Sequence, residues 1–276
     1  MKCMHRPAKI VSGHEELDAE YRAARWTHHR LLDFEDQHQR LLDEVAEQCA
    51  PGIRRVARLI AILWRRQRRA ERASAGSWKP RERADLMAAL RSRLTELRKQ
   101  RDADPRWREA LLWGDGVDPD APERGAPRRK AGETDEDFAE RCAKRRTRLT
   151  RREAYRAKLY ADRRIYWGTW NALIASVDAA RKAVIQQRKA GVAASWKRPR
   201  WDDPCTISAD AGGFRIVERG RPWWIVEMRL LDGWVRFRAK LGNWHELPET
   251  AKLKQCKLTR RKNGRGWEYS VSIAVD

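Results

Sequence analysis

The sequence predicts an α+β protein in which a helical lobe is followed by a small antiparallel β-barrel. Three observations carry this. Apolar residues recur at helical spacing from Glu15 onward. Short alternating runs replace them after Gly191. Gly212-Gly213, Asp232-Gly233 and Asn263-Gly264 separate several of those runs and are hairpin signals. The expected division is 1–14 as an N-terminal strand of the barrel, 15–191 as the helical lobe with a flexible loop at 114–133, and 192–276 as the barrel.

Lys2 to Ser12 reads as one short strand, and Pro7, which lacks an N–H, points to an edge position. From Glu15, the residues Leu17, Tyr21, Ala24, His28, Leu31, His38, Leu42, Val45 and Cys49 form one apolar stripe, which Pro51-Gly52 ends. A second helix runs from Ile53 to about Arg72, with Ile53, Val56, Ile60, Leu63 and Trp64 as its stripe. Ser74 to Ser77 is a break. Pro80 opens a third helix with Leu86, Leu90, Leu94 and Leu97 inward. A short helix follows from Pro105 to Trp113. Pro119, Pro122 and Pro127 punctuate the loop from Gly114 to Glu133. Thr134 with Asp137 makes a capping arrangement for a long, interrupted helix from Asp135 to Ala190. Within it Gly168 marks close packing, and Gly191 ends it. The alternating runs are Cys205–Asp210, Phe214–Glu218, Trp223–Arg229, Trp234–Leu241, Lys252–Arg260 and Trp267–Val275. In the last, Trp267, Tyr269, Val271, Ile273 and Val275 share one face.

The chain has 276 residues, with 61 Lys+Arg against 39 Asp+Glu and a net charge of +22. Such an excess repels itself, and a polyanion relieves it. RNA and DNA are the expected partners. A membrane is not, because no apolar run approaches the roughly 20 residues of a spanning helix and the N-terminus lacks a secretion signal. The five cysteines (Cys3, Cys49, Cys142, Cys205, Cys256) are isolated from one another, which argues against a zinc site and for a reduced, cytoplasmic protein. Fourteen tryptophans divide between core packing and surfaces on which bases stack.

Catalytic patterns are missing. His28-His29 and His38 lack a second ligand pair for a metal. No phosphate-binding Gly-x-x-x-x-Gly-Lys loop and no Gly-x-Ser-x-Gly elbow occurs. Asp202-Asp203 look like turn residues, and Asp276 has no visible carboxylate partner for two-metal chemistry. No catalytic residue, metal or cofactor is expected.

Four basic segments are stronger signals. The helix from Ile53 to Arg72 carries Arg54, Arg55, Arg58, Arg65, Arg66, Arg68, Arg69 and Arg72 against Glu71 alone. A solvated amphipathic helix is the competing reading, but like charges within one turn destabilise a helix. A second block runs from Arg141 to Arg164 and includes Lys144, Arg145, Arg146, Arg148, Arg151, Arg152, Arg156, Lys158 and Arg163. Arginine suits phosphate because its planar fork donates two hydrogen bonds at once. Third, Trp196 and Trp201 bracket Lys197, Arg198 and Arg200, a pattern for backbone contact plus stacking. The alternative is a loop folded on the barrel with its cations in water. Fourth, Lys252, Lys254 and Lys257, with Arg260, Arg261 and Lys262, line the fifth alternating run, where protection of a sheet edge is the competing role.

The segment Ile165-Tyr166-Trp167-Gly168-Thr169-Trp170-Asn171-Ala172-Leu173-Ile174, followed by Gln187-Arg188-Lys189-Ala190-Gly191 and by Lys197 to Asp210, resembles the small type V CRISPR effectors, most closely their m-subtype. The resemblance spans nearly the whole chain in order and is sharpest from Tyr166 to Ile207. It implies a helical recognition lobe and an OB-like wedge barrel. These would hold a guide RNA, read a short flanking DNA motif and cradle the guide–target heteroduplex without cutting it. Sequence reading is then left to base pairing. By this likeness Tyr166, Thr169 and Asn171 would lie near the DNA entry site, and Lys197, Arg198 and Arg200 would meet the guide or the flanking duplex. The family continues into a RuvC-type nuclease domain and a zinc-bearing segment, whereas this sequence stops after Trp267–Val275.

The expectation is therefore a non-enzymatic, RNA-guided DNA-binding module of antiviral defence, whose partners are a guide RNA and target double-stranded DNA. Residues Arg54, Arg55, Arg58, Arg65, Arg163, Arg164, Tyr166, Thr169, Asn171, Trp196, Lys197, Arg198, Arg200, Trp201, Lys252 and Lys254 are its expected nucleic-acid contacts. One rival is a metal-independent ribonuclease that trims precursor guide RNA, with His28, His29 or Lys197 as acid–base groups. Others are the truncated half of a RuvC nuclease and a protein-binding scaffold.

Overall fold

The structure is a computed structural model that describes residues 2–72, 80–121, 123, 129–130, 132–143, 148–162, 164–189, 194, 196–220, 222–240, 252–264 and 266–275. The break at Ser74–Ser77, the stop at Gly191, Pro122, Pro127, Lys144 to Arg146, Arg163, Leu241 and Asp276 lie outside the described residues. Among the described residues the order is β1 (Lys2–Ser12), α1 (His14–Cys49), α2 (Ile53–Arg72), α3 (Pro80–Ala103), α4 (Pro105–Leu112), α5 (Asp135–Ala143), α6 (Arg151–Ala161), α7 (Trp167–Lys189), β2 (Cys205–Asp210), β3 (Phe214–Arg219), β4 (Trp223–Arg229), β5 (Trp234–Lys240), β6 (Leu253–Asn263) and β7 (Gly266–Val275). The α+β class and the helices-then-strands layout are as the sequence predicts. The chain forms two compact units, one of residues 1–33, 159–182 and 196–276, the other of 34–158 and 183–195. Residues 15–33 and 159–182, expected in the helical lobe, thus belong to the unit that holds the sheet.

In that first unit the strands form one antiparallel sheet, ordered β2-β6-β7-β1-β5-β4-β3. It is a curled half-barrel rather than a closed barrel: β2 and β3 are its two edges. The turn at Gly212-Gly213 therefore does not make a hairpin of β2 with β3, whereas Asp232-Gly233 and Asn263-Gly264 do join the paired strands β4–β5 and β6–β7. β1 is an inner strand, against the edge position read from Pro7. It pairs with β7 over Lys2–Ala8 and with β5 over Ala8–Ser12, so at Pro7 the strand is paired on its β7 side alone.

Alternation gives the sheet one dry face. Ile207, Ala209, Trp224, Val226, Met228, Val235, Phe237, Cys256, Leu258, Val271 and Ile273 are buried there, together with Leu17, Tyr21, Leu31, Trp170, Leu173 and Val177 from the helices. Tyr21 donates its hydroxyl to the Leu258 carbonyl at 2.9 Å, so the α1 stripe is bonded to β6 as well as packed in the core. The close packing expected at Gly168 is against β2: a Cβ there would lie 2.6 Å from the Ser208 carbonyl oxygen and 3.0 Å from Ala209 Cα. Because both neighbours are backbone, Gly168→Ala is expected to lower stability by about 1–3 kcal/mol, measured as a shift in the urea unfolding midpoint.

The second unit has a smaller core of Ala46, Ile53, Ile60, Met87, Leu94 and Leu97. Leu86 and Trp64, assigned inward by spacing, are 47% and 40% exposed; Met87 takes the α3 position instead. The long helix expected over Asp135–Ala190 is three helices, α5, α6 and α7. Thr134 does cap α5, with its Oγ1 accepting the Asp137 N–H at 3.1 Å. The expected loop is in part bridged. Val117 pairs with Thr150, Glu123 pairs with Arg148, and the Asp118 N–H donates to the Leu149 carbonyl at 3.0 Å.

Candidate nucleic-acid interface

The connector from Trp196 to Pro204 is pinned to the first half of α1. Arg25 is buried and donates from Nη2 to the carbonyls of Asp203 (2.6 Å) and Pro204 (3.2 Å). Arg198 meets Asp33 at 2.8 Å, and Arg30 reaches the same carboxylate at 3.6 Å. His29 stacks on Trp201, with ring centroids 5.8 Å apart and planes at 19°. Asp203 closes a turn by accepting the Arg200 N–H at 2.8 Å, as its place before Pro204 suggests. The Arg30 and Arg164 guanidiniums each lie 5.8 Å from the centre of the Trp26 ring. The result is a cluster of α1 and connector side chains with Trp201 62% exposed. Lys197 and Arg200 are exposed beside it and make no ion pair among the described residues. Trp196 is different: it packs on the core and its Nε1 is buried, so the pair of indoles supplies one open face rather than two.

His28 is half-buried next to Arg25 and His29, and burial first, then those two charges, push its pKa down to about 4. The folded state therefore binds this proton more weakly than the unfolded chain. The stabilising contribution is complete above the ordinary value near 6.5 and disappears as pH falls from there toward 4. Thermal unfolding midpoints recorded across that window are expected to fall with pH, and His28→Gln is expected to flatten the dependence.

The remaining expected contacts divide by geometry. Thr169 is 1% exposed, and its hydroxyl donates to the Ser208 carbonyl (3.3 Å) and accepts the Ser208 N–H (3.1 Å). It holds α7 on β2 and presents nothing to solvent. Tyr166 is half-buried, donates its N–H to Glu20 at 2.7 Å and directs its hydroxyl to Asp210 at 3.3 Å. Asn171 is exposed on α7. In the second unit Arg54, Arg55, Arg58 and Arg65 are exposed, as are Arg66 and Arg69. At 100° per residue these six occupy one arc of α2 around Ile62, opposite Ile53, Ile60 and Leu63. None of the six makes an ion pair among the described residues.

Much of the Arg141–Arg164 block is occupied internally, against the expectation of a second phosphate-binding stretch. Arg141 meets Glu133 at 2.7 Å, Arg148 donates to the Pro119 carbonyl at 2.7 Å and Arg151 to the Trp113 carbonyl at 3.1 Å. Arg152 is buried against Glu35 (2.8 Å) and Asp115. On β6 the pairing steps from Leu253–Val275 to Gln255–Ala274, which leaves Lys254 as the extra residue of a bulge and interrupts the expected alternation with Lys252. Both lysines are exposed. Arg260 is not a surface cation; it is buried between Tyr21 and Trp267, with centroid distances of 4.3 and 4.2 Å, and bonded to Asp18 at 2.6 Å.

Spacing arguments passed over one surface. The solvent side of β3, β4, β5 and β1 carries Lys9, Trp223, Trp234, Arg236, Arg238 and Lys240. The signal was present in Trp234-Val-Arg-Phe-Arg-Ala-Lys240, whose alternate residues are an indole and three cations. Trp26 and Arg30, on the amphipathic helix α1, were missed for the opposite reason: helical spacing does not show which polar face meets the connector.

Comparison with known proteins gives no matching family model and no matching curated protein. Among the described residues no helix is long and apolar enough to cross a membrane.

Proposed function

We propose that this chain is an RNA-guided DNA-binding module that holds a guide RNA and its DNA target by their phosphates and leaves sequence reading to base pairing. The observation that carries the reading is the connector cluster. The segment with the sharpest likeness to the small type V effectors is fastened to α1 by Arg25, Arg198 and His29, while Lys197, Arg200 and Trp201 stay exposed. A fixed backbone with free cations and an open indole suits phosphate contact with stacking. The sheet supports the same reading, because β1 from the N-terminal segment joins strands from 205–275, as expected of a wedge segment split in this way. The ribonuclease rival gains no support from His28, whose depressed pKa leaves it a weak base.

The test is to express the chain in cells that carry a CRISPR array and to sequence the RNA that co-purifies. A discrete repeat-plus-spacer species is expected, and loading it should confer binding to complementary duplex DNA without cleavage. Recovery of ribosomal fragments in proportion to their abundance, or of no RNA, would overturn the proposal. Trimming of the repeat in EDTA would transfer it to the ribonuclease reading.

A further inference from the structure

We infer that the solvent side of β3, β4, β5 and β1 is a binding face for single-stranded RNA, in addition to the connector; the inference rests on the RNA-binding reading above. The register builds this face. Arg238 stands between Lys9 on β1 and Ile225 on β4, Arg236 opposite Glu227, and Lys240 opposite Trp223. Arg238 and Lys240 alternate along β5 and are therefore spaced by about 6.8 Å, a step that suits successive phosphates of an unpaired strand, while Arg236 beside them is tied to Glu227. Lys9 and Arg238 are direct cross-strand neighbours of like charge, an arrangement that destabilises a sheet and that a polyanion relieves. Their cations lie 6.0 and 5.3 Å from the centre of the Trp223 ring, and the Arg215 guanidinium lies 4.9 Å from that of Trp234, which is 40% exposed. Indoles and guanidinium planes are the surfaces on which unpaired bases stack, whereas the bases of a duplex are stacked on each other.

The carboxylates on the face favour RNA over DNA. Glu227 is occupied: hydrogen bonds from Arg236 and Arg215 hold its pKa below the ordinary value. Glu218 is exposed and sits opposite Ile225, beside the cation row. As an acceptor beside the cation row it can take the 2′-hydroxyl, the donor that DNA lacks.

The experiment compares the wild-type chain with Arg238→Gln/Lys240→Gln and with Trp234→Ala by fluorescence anisotropy. The probes are a labelled 12-nucleotide single-stranded RNA, the DNA of the same sequence and an RNA hairpin. Both variants should lose at least tenfold in affinity for single-stranded RNA and change little toward the hairpin, with wild type favouring RNA over DNA. In parallel, the same RNA carrying 4-thiouridine is photocrosslinked to the wild-type chain, and the crosslinks should include residues 222–240. This second arm does not depend on the variants folding. Equal affinity of variants and wild type for the single strand, equal losses on all three probes, DNA binding as tight as RNA, or crosslinks confined to other segments would overturn the inference. Binding of guide RNA with an unaffected strand face sinks this inference alone, whereas failure of the wild-type chain to bind any RNA sinks the proposed function with it.

Discussion

Replacing Arg54, Arg58, Arg65 and Arg69 with glutamine is expected to weaken nucleic-acid binding by about 100-fold at physiological salt and to make its salt dependence shallower by about 3 in the log–log slope, because four phosphate contacts at roughly 0.7–0.9 each are lost. The four side chains are exposed on one arc of α2. Glutamine is nearly as good a helix former as arginine, so the helix should persist. Removing like charges spaced four and seven residues apart should moreover raise the unfolding midpoint slightly. Loss of binding with a gain in stability separates a functional charge cluster from a structural one. The matched control is Arg141, Arg148 and Arg151 to glutamine, where the guanidiniums are bonded to Glu133 and to the carbonyls of Pro119 and Trp113. There stability should fall and the salt slope should change by less than 1. Equal slopes in both sets would remove α2 from the interface.

That contrast marks how far the sequence could be read. Period-two alternation located the six C-terminal strands to within a few residues, most cleanly in β5, where every second side chain is buried. The apolar stripe of α1 was legible for the same reason: Leu17, Tyr21, Ala24 and Leu31 are buried where spacing placed them. Strand neighbours were not legible. The short loop at Gly212-Gly213 suggested a hairpin, but β2 pairs with β6, some 50 residues away, because its dry face completes the core there. Pro7 misled about the strand's position, since β1 changes partners at Ala8 and is paired on one side only where the proline falls. The cationic segments posed the harder problem. Arg58 and Arg152 each sit in an Arg-rich helix with few acids in sequence reach, and only the fold shows that one faces solvent and the other meets Glu35, 117 residues away. Charge density is what suggests a polyanionic partner; tertiary pairing decides which charges remain exposed to meet one.

Arg152→Met is expected to cost about 3–5 kcal/mol of stability, the largest single effect, because it removes the guanidinium bonded to the buried Glu35 carboxylate. Arg152 and Glu35 have side chains 5% and 3% exposed and are joined at 2.8 Å, with Asp115 on the other side of the guanidinium and Phe34 beneath it. Removing both charges in Glu35→Leu/Arg152→Met takes away the buried carboxylate as well as the bond, so the double variant should recover most of the loss. Urea unfolding of the two singles and the double gives the coupling directly. The same proteins connect stability back to function. Since the Arg152 guanidinium never reaches the surface, the salt slope of RNA binding should be the same in wild type and double variant, even though one cation of an Arg-rich helix is gone. A slope that dropped by about 1 would mean that Arg152 touches phosphate, and the division between cations consumed inside the second unit and cations offered to a polyanion would have to be redrawn.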